Sequence, residues 1–395
     1  MRFLALTLTL MLLISISAAL VVASNGSSSS RRWTFAVYMV ADNNLDTAAL
    51  EDIHEMQSVG STDQVGVVVL VDRFYVNGSQ ILYISKGYNQ SVWGEWSSEY
   101  ELNMGDPATL TWFLEYVASN YPAEHYALVL WDHGDGWNGF GWDDTNSDHL
   151  TVEEIKNALI NFKDVTGVKI DLLGFDACLM ASVEVAYTLS LTDEVSVLVA
   201  SEDYVPWSGW PYDTILSKLV ENPELSPVEL ASLIVDEYVE SYEHGTQGFA
   251  PYVTLSAIDL SQVRNIVGNL GYLANELMTN LKKHKDTLRY AVESSERFWF
   301  GAWHQGPYID LRDFLEKLAT RESLKSYVDP VLNDWQKVVI ASRSSVGPHK
   351  TNCWGLTIYY PRNKNQFYMP EPYYVSVPEF TQVTGWYDLL VAYFS

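Results

Sequence analysis

The sequence predicts an α/β fold in which a mostly parallel central sheet is flanked by helices. Apolar runs of strand length alternate with helical patterns from Trp33 to about residue 220, and this alternation is typical of a parallel sheet that is covered on both faces. Two of the runs end in polar segments, Trp131-Asp-His-Gly-Asp-Gly-Trp137 and Phe175-Asp-Ala-Cys178. Because parallel strands end at the same edge of a sheet, where α/β proteins place their chemistry, we expect the His and the Cys to meet there.

Each element of this first half follows from local sequence signals. Asp106 and Pro107 are a cap and a first helical residue, which predicts a helix over residues 107–118. Thr151 and Glu154 form a capping box for the next helix. The turn residues that begin at Asp42 predict a helix ending near residue 58, and a further helix is predicted over about residues 179–189. Apolar runs predict buried strands at residues 33–40, 65–71, 126–130, 170–174 and 195–200.

The mature chain is predicted to contain three segments. Residues 33–225 form the α/β core, and residues 226–345 form a mostly helical C-terminal subdomain. Residues 346–395 contain a strand and a closing helix that complete the core. A chain of 395 residues suits one large α/β unit with an appended subdomain.

The N-terminus predicts export from the cytoplasm. Residues 1–23 combine an early Arg2 with a long apolar run, which is typical of a signal peptide. The run is also long enough to be an N-terminal membrane anchor. Residues 24–32 follow as a Ser-rich tether. Both alternatives predict a secreted or extracytoplasmic protein that contacts a membrane only through this segment.

The composition excludes some classes of partner. The chain has 24 Lys and Arg residues against 50 Asp and Glu residues, a formal net charge of −26. Such an acidic field disfavours nucleic acids and anionic membranes. It favours cationic substrates such as basic peptides, although solubility in a salty or hot environment is an equal explanation.

Two cysteines, Cys178 and Cys353, are too few for a disulfide scaffold. Judged by their number alone, the two cysteines could form one disulfide with each other, or each could be a buried free thiol. The position of Cys178 favours chemistry instead, because the N-terminus of the predicted helix would lower the pKa of its thiol. His133 could then act as the base, and the N–H groups of Gly134 and Cys178 could form an oxyanion hole. Alternatively, His133 is a loop residue packed between two tryptophans.

Several ordered motifs resemble the clostripain family of cysteine peptidases. The resemblance extends from about Trp33 to the C-terminus, and it implies a caspase-like α/β sandwich, shared with caspases, legumains and gingipains. Beside the His and Cys segments quoted above, the motifs are Tyr38-Met-Val-Ala-Asp-Asn-Asn-Leu45, Glu184-Val-Ala-Tyr187, Ser201-Glu-Asp203, Gly209-Trp-Pro-Tyr212, Tyr308-Ile-Asp-Leu-Arg-Asp-Phe314 and Gly355-Leu-Thr-Ile-Tyr-Tyr-Pro361.

The resemblance implies a role for individual residues. It makes His133 the catalytic histidine, Cys178 the nucleophile and Asp176 the acid of an S1 pocket that prefers Arg, then Lys, at P1. A carboxylate and a guanidinium can form two parallel hydrogen bonds, which agrees with the preference for Arg. The alternative role for Asp176 is to cap the following helix. Asp203 or Glu202 is a candidate second pocket acid, and the loop residue Trp207 is a candidate pocket wall. The expected partners are peptides or proteins with basic residues.

The chain departs from the family at the site of internal processing. Members of the family are typically cut after a basic residue between the His and the Cys, whereas residues 134–155 contain no Lys or Arg. We therefore expect His133 and Cys178 to remain on one polypeptide, with any processing near Arg31-Arg32.

No cofactor is required by this interpretation, although one loop has a weak calcium signal. Asp144, Asn146 and Asp148 alternate like the first half of a calcium loop, but Ile155 stands at the twelfth position, where a Glu is needed. A solvated acidic turn is the alternative. Two other functions stay open: a secreted glycosidase that uses Asp143 and Glu153, and a glycan- or peptide-binding surface protein.

Overall fold

The computed structural model describes residues 31–248, 250, 253–298, 306–345, 352–367 and 377–395. The leader (residues 1–23) and residues 24–30 of the tether lie outside the described residues. The strands are β1 Arg31–Ala41, β2 Val65–Arg73, β3 Ser79–Ser85, β4 Tyr88–Gly94, β5 Ala123–Trp131, β6 Phe140–Asp143, β7 Asp148–Leu150, β8 Ile170–Asp176, β9 Val195–Ala200, β10 Thr254–Asp259, β11 Arg297–Phe298, β12 Tyr308–Asp310, β13 Val339–Ser344 and β14 Thr357–Tyr359.

Helices cover both faces of the sheet. They are α1 Asp46–Val59, α2 Pro107–Asn120, α3 Val152–Thr166, α4 Val183–Ser190, α5 Tyr212–Glu221, α6 Pro227–Glu243, α7 Leu260–Thr279, α8 Leu281–Ser294, α9 Leu311–Ala319, α10 Glu322–Val338, α11 Lys364–Phe367, α12 Pro378–Thr384 and α13 Trp386–Phe394.

A nine-stranded sheet, in the order β13-β10-β9-β8-β5-β1-β2-β3-β4, organises the molecule. Its five central strands, from β9 to β2, are parallel, whereas the outer pairs are antiparallel. This architecture confirms the predicted α/β class with a mostly parallel sheet flanked by helices.

Alternating side chains of the central strands build two separate cores. On β1, Tyr38 packs into one core with residues of α2, α3, α4 and α7, whereas its neighbour Val37 packs into the other with residues of α1, α5 and α6. Successive side chains of a strand point to opposite faces, so a sheet that is buried on both faces must be apolar at every position. This explains the unbroken apolar runs in the sequence.

The predicted segment boundaries differ from the observed packing in two places. β10 and β13 fall within the segment predicted as a helical subdomain, yet both lie in the central sheet. The predicted tether extends to residue 32, but β1 begins at Arg31, and Arg32 forms ion pairs with Glu124 and Glu224. The backbone of the Arg31-Arg32 pair is therefore part of the folded sheet rather than an extended tether.

The last segment packs beside the central sheet rather than within it. β14 pairs with β12, which pairs with β11, in a small three-stranded sheet. The N–H of Thr357 in β14 donates to the carbonyl of Ala181, just after Cys178. The C-terminal strand thus supports the loop that carries the cysteine. In the part of the chain that the structure describes, no helix has the length and apolarity needed to cross a membrane.

We expect Gly174→Ala to lower the free energy of unfolding by about 1–3 kcal/mol, as overpacking of a core does. A Cβ atom at position 174 would lie 2.6 Å from Cη2 of the buried Trp210 indole. Gly268→Ala in α7 is the matched control: its Cβ meets nothing within 4 Å, so helix propensity should stabilise it by about 0.5–1 kcal/mol. Urea denaturation followed by fluorescence measures both, and equal stability of the two variants would contradict the packing described here.

Candidate active site

One pocket, of about 240 Å³, lies where the carboxyl ends of β1, β5 and β8 meet. Register places Trp131 of β5 opposite Met39 of β1 and opposite Asp176 of β8. The polar segments that follow β5 and β8 are therefore held side by side. The pocket is lined by Asn44, Leu45, Trp131, Asp132, His133, Asp176, Cys178, Tyr204, Val205, Pro206, Trp207 and Gly209.

His133 is held in one orientation by Asn44. The distance between His133 Nε2 and Asn44 Oδ1 is 2.8 Å. Because the amide oxygen accepts, Nε2 carries the proton and Nδ1 keeps the lone pair. Burial lowers the pKa of His133, with a smaller opposing effect from the Asp144 carboxylate. The imidazole is thus neutral and available as a base.

The backbone beneath His133 is fixed by a buried hydrogen-bond network. Asn43 donates to the Asp132 carboxylate (2.7 Å) and to the Trp142 carbonyl (2.8 Å), and the N–H of Trp142 donates to the other Asp132 oxygen (2.7 Å). Both oxygens of a fully enclosed carboxylate are satisfied in this way. The network joins the end of β1 to the loop that carries His133.

Cys178 does not lie at a helix N-terminus, contrary to the sequence prediction. It lies in a turn that contains Leu179 in the left-handed region (φ 65°), and α4 begins only at Val183 with Ser182 as its cap. Burial raises the pKa of the Cys178 thiol to about 12; the N–H of Val205 opposes this shift, and nearby carboxylates add to it. The predicted lowering of this pKa is therefore wrong, because the thiol is enclosed beside acids instead of facing a helix dipole.

Gly134 allows the His and Cys loops to touch. A Cβ atom at this position would lie 2.4 Å from the Cys178 carbonyl oxygen and 3.0 Å from the Met180 sulfur. Only glycine permits this approach of two backbones. The role of the Gly134 N–H in an oxyanion hole remains a prediction.

Asp176 lines the pocket, and only one of its two carboxylate oxygens has hydrogen-bond donors. Its Oδ2 accepts from the N–H of Trp210 (3.0 Å) and from the hydroxyl of Tyr212 (2.9 Å). Its Oδ1 is buried and has no hydrogen-bond donor. Burial raises the pKa of Asp176 to about 7, against the effect of those two hydrogen bonds. A buried oxygen of this kind is ready to accept from a cationic ligand.

A second carboxyl group, that of Asp52, lies near the carboxyl group of Asp176, and the sequence did not predict it. A Cβ atom on Gly209 would lie 2.8 Å from Asp176 Oδ2 and 3.1 Å from Asp52 Oδ2, so both carboxyl groups converge on this glycine. Asp52 Oδ2 accepts from the indole N–H of Trp131 at 2.6 Å. Burial and then the charge of Asp176 raise the pKa of Asp52 well above its usual range.

Of the other predicted pocket residues, Trp207 lines the pocket, whereas Glu202 and Asp203 do not. Trp207 is half exposed. The Glu202 carboxyl group lies instead against that of Asp310. Asp203 is buried, and its carbonyl accepts from the N–H of Leu179. Asp203 therefore shapes the cysteine turn, and its charge contributes to the raised pKa of Cys178.

The predicted calcium loop is the tight turn between β6 and β7. Asp144 and Asn146 are exposed, and Asp148 accepts from the side-chain amide of Asn103 at 2.8 Å.

The two carboxyl groups of the glycosidase alternative, those of Asp143 and Glu153, have structural partners. Asp143 accepts from two backbone N–H groups, of Met104 and Asn146, and Glu153 is paired with Lys156.

Known proteins resemble this chain over most of its length. The model of the clostripain family matches residues 37–392. Clostripain of Hathewaya histolytica is 27% identical over an alignment that covers 93% of this chain and 81% of that protein. Similar solved structures are an inactive zymogen C11 protease from Parabacteroides distasonis (TM-score 0.66, 19% identity, 92% of this chain and 99% of that one) and a secreted C11 cysteine protease from Bacteroides thetaiotaomicron in complex with an irreversible peptide inhibitor (0.65, 21%, 90% and 99%).

Replacing Asn44 by Asp should raise the pKa of His133, because a carboxylate at hydrogen-bond distance favours the charged imidazolium. An NMR titration of the imidazole protons measures this value. Asn44→Ala is the control, since it removes the acceptor without adding charge and should not raise the pKa. An unchanged pKa in Asn44→Asp would contradict the contact between the two side chains.

Proposed function

Because the chain belongs to the clostripain family of cysteine peptidases, we propose that it is an exported endopeptidase that cleaves after Arg and, less well, after Lys. The observation that carries this proposal is the content of one pocket. It holds a thiol, a neutral imidazole and a buried carboxylate with an unpartnered oxygen, from Cys178, His133 and Asp176.

Cys178 and His133 form the catalytic dyad in this proposal. The Cys178 sulfur attacks the carbonyl carbon of the scissile bond while Nδ1 of His133 takes the thiol proton. The resulting oxyanion is stabilised by the N–H groups of Gly134 and Cys178. His133 then donates the proton to the leaving amine, and a water molecule hydrolyses the thioester with His133 again as base.

Asp176 recognises the P1 side chain. A guanidinium in the pocket can donate to the unpartnered Asp176 Oδ1 and satisfy a buried acceptor. Arg is preferred over Lys because its planar fork donates in two directions, whereas an ammonium is a point charge. A cation bound at Asp176 would also favour ionisation of Asp52, because the charge of Asp176 is one of the causes that raise the pKa of Asp52.

Binding of a basic P1 side chain also activates the nucleophile. Asp176 and Asp203 are among the groups whose charges raise the pKa of Cys178. A cation beside Asp176 offsets part of that negative charge, so proton transfer from Cys178 to His133 becomes easier once substrate is bound. Part of the P1 preference should therefore be expressed in kcat.

The proposed enzyme needs no cofactor for the chemical step and remains a single chain. Residues 134–155 contain no Lys or Arg, so an Arg-directed peptidase cannot cut itself there. Export is proposed from the apolar segment of residues 1–23. A C11 relative described as secreted agrees with this location.

Cys178→Ala should abolish peptide hydrolysis and leave the fold intact, since the side chain supplies the nucleophile. Cys353→Ala is the matched control: neither cysteine forms a disulfide, so this variant should retain activity and lose only about 1 kcal/mol of stability. Hydrolysis of a fluorogenic Arg peptide and its inhibition by iodoacetamide measure the effect. Full activity in Cys178→Ala would overturn the dyad, whereas absence of hydrolysis by the parent chain itself would favour a non-enzymatic binding protein.

Asp176→Asn should reduce kcat/KM for a P1 Arg substrate by a factor on the order of a hundred, because a buried guanidinium then loses its charge partner. Cleavage of a poor substrate with P1 Gln should change far less, which separates loss of recognition from loss of structure. Profiling with a peptide library tests the assignment. A preference for acidic or large apolar P1 residues in the parent enzyme would show that this pocket is not a basic-specific S1 site.

A further inference from the structure

The small sheet of β11, β12 and β14 contacts both loops that carry the proposed dyad. Its strands β12 and β14 are adjacent and antiparallel. Tyr308 in β12 bonds to the loop that follows His133, and Thr357 in β14 bonds to the turn that follows Cys178. The motifs that begin at Tyr308 and Gly355 thus lie next to the active site without lining its pocket.

The hydroxyl group of Tyr308 holds the histidine loop at two points. It donates to the carbonyl of Asp135 (3.0 Å) and accepts from the N–H of Trp137 (3.1 Å). Gly136 lies between these two residues with φ 58°, and a Cβ atom there would be 2.2 Å from the Tyr308 hydroxyl oxygen. Because Tyr308 is buried, these hydrogen bonds are shielded from water. The hydroxyl group therefore fits one conformation of the loop.

The held segment is one arm of a short hairpin that contains Gly134. On one side of Gly134, the carbonyl of His133 accepts from the N–H of Gly141 (3.1 Å). On the other side, the N–H of Asp135 donates to the carbonyl of Gly139 (3.0 Å). Gly134 forms the bridge between these two bonds, and a residue in this position of an antiparallel pair exchanges no ladder bond itself. The N–H of Gly134 is therefore turned away from the partner arm.

The small sheet also holds the turn that carries the second donor of the proposed oxyanion hole. The carbonyl of Ala181, three residues after Cys178, accepts from the backbone N–H (2.9 Å) and the hydroxyl group (3.2 Å) of Thr357. The two N–H groups assigned to the oxyanion belong to Gly134 and Cys178, one in each loop. Because it binds both loops, the small sheet fixes the spacing between these two donors.

We propose that Tyr308 is a positioning residue that aims the N–H of Gly134 at the oxyanion. This role rests on the proposed peptidase function, whereas the ordering of the hairpin by Tyr308 does not. Tyr308 is not among the residues that line the pocket, so it acts through the backbone of the loop and not by touching substrate. Oxyanion donors stabilise a transition state best when they are preorganised. Without the hydroxyl group the hairpin would sample other orientations, and the donor would have to be ordered during each attack.

Three variants separate this contact from general packing. Tyr308→Phe removes the hydroxyl group and keeps the ring, which packs edge-on against Tyr359 with 5.8 Å between ring centroids. Gly136→Ala disturbs the same contact from the loop, since its Cβ atom would collide with the Tyr308 hydroxyl group, and it provides the test if Tyr308→Phe folds poorly. Tyr360→Phe is the matched control: its hydroxyl group is buried and has no hydrogen-bond partner among the described residues.

The ordering of the hairpin is tested by hydrogen–deuterium exchange, which needs no activity. In Tyr308→Phe and Gly136→Ala, the amides of residues 134–141 should exchange roughly tenfold faster than in the parent, because the hydroxyl contacts of the loop are lost. Tyr360→Phe should match the parent, and the central strands should exchange equally in all four proteins. Equal exchange of residues 134–141 in Tyr308→Phe and the parent would overturn the ordering role, whether or not the chain is a peptidase.

The positioning role is tested with a fluorogenic P1 Arg peptide and two inhibitors. Tyr308→Phe should lower kcat about tenfold and change KM less than about twofold, because the donor matters in the transition state and not in substrate binding. A peptide aldehyde with P1 Arg should bind about tenfold more weakly, since addition of the Cys178 thiol places the former aldehyde oxygen in the oxyanion hole. Benzamidine, which would occupy only the P1 pocket, should bind equally well.

The possible outcomes distinguish this role from the proposed function. Normal kcat and normal aldehyde affinity in Tyr308→Phe would overturn the positioning role, and so would an equal loss of benzamidine affinity, which would indicate general damage to the site. If the parent hydrolyses no peptide, the proposed function and the positioning role fail together. The ordering of the hairpin then stands or falls with the exchange experiment alone.

Discussion

The register between β5 and β8 is the constraint on which the site depends. Placing Trp131 opposite Asp176 brings the loop of His133 beside the turn of Cys178, and the absence of a Cβ on Gly134 lets the two backbones meet. A slip of one residue would turn Asp176 to the other face of the sheet and destroy both the proposed dyad and the pocket. Two apolar cores, one on each face, hold this register because alternate side chains of every central strand are committed to one of them.

Buried carboxyl groups that form no ion pair within the described part of the chain are the second organising feature. Asp52 and Asp176 converge at the base of the pocket, and Asp42, Asp72 and Glu101 converge at the end of β1. A protein can hold such groups by protonating them or by binding a cation. Burial raises the pKa values of Asp176 and Asp72 to about 7 and about 8, which favours the protonated form of each carboxyl group. The proposed basic substrate would supply a cationic partner to the acids in the pocket.

The sequence predicted the features that follow from local rules. Apolar runs located the central strands, caps located α2 and α3, and the rule that parallel strands end together brought His133 and Cys178 to one edge. The sequence predictions were wrong or incomplete where tertiary contacts determine the local conformation. Leu179 adopts a left-handed conformation, which delays the helix to Val183 and removes the dipole expected at Cys178. Asn44 and Asp52 were missed although they follow β1 at the same edge, because contacts between loops and helices leave no periodic signal.

The neutral state of the proposed dyad would limit the reactivity of the thiol in the absence of substrate. A thiolate preformed in the free enzyme would react with any electrophile, whereas burial and acidic neighbours keep Cys178 protonated and burial keeps His133 neutral. In the proposed mechanism the proton moves as the substrate is attacked, and a cationic side chain that offsets the charge of Asp176 makes this step easier. In the proposed mechanism Asp176 links recognition to activation, because it would accept the basic side chain and is one of the carboxylates that, together with burial, raise the pKa of Cys178.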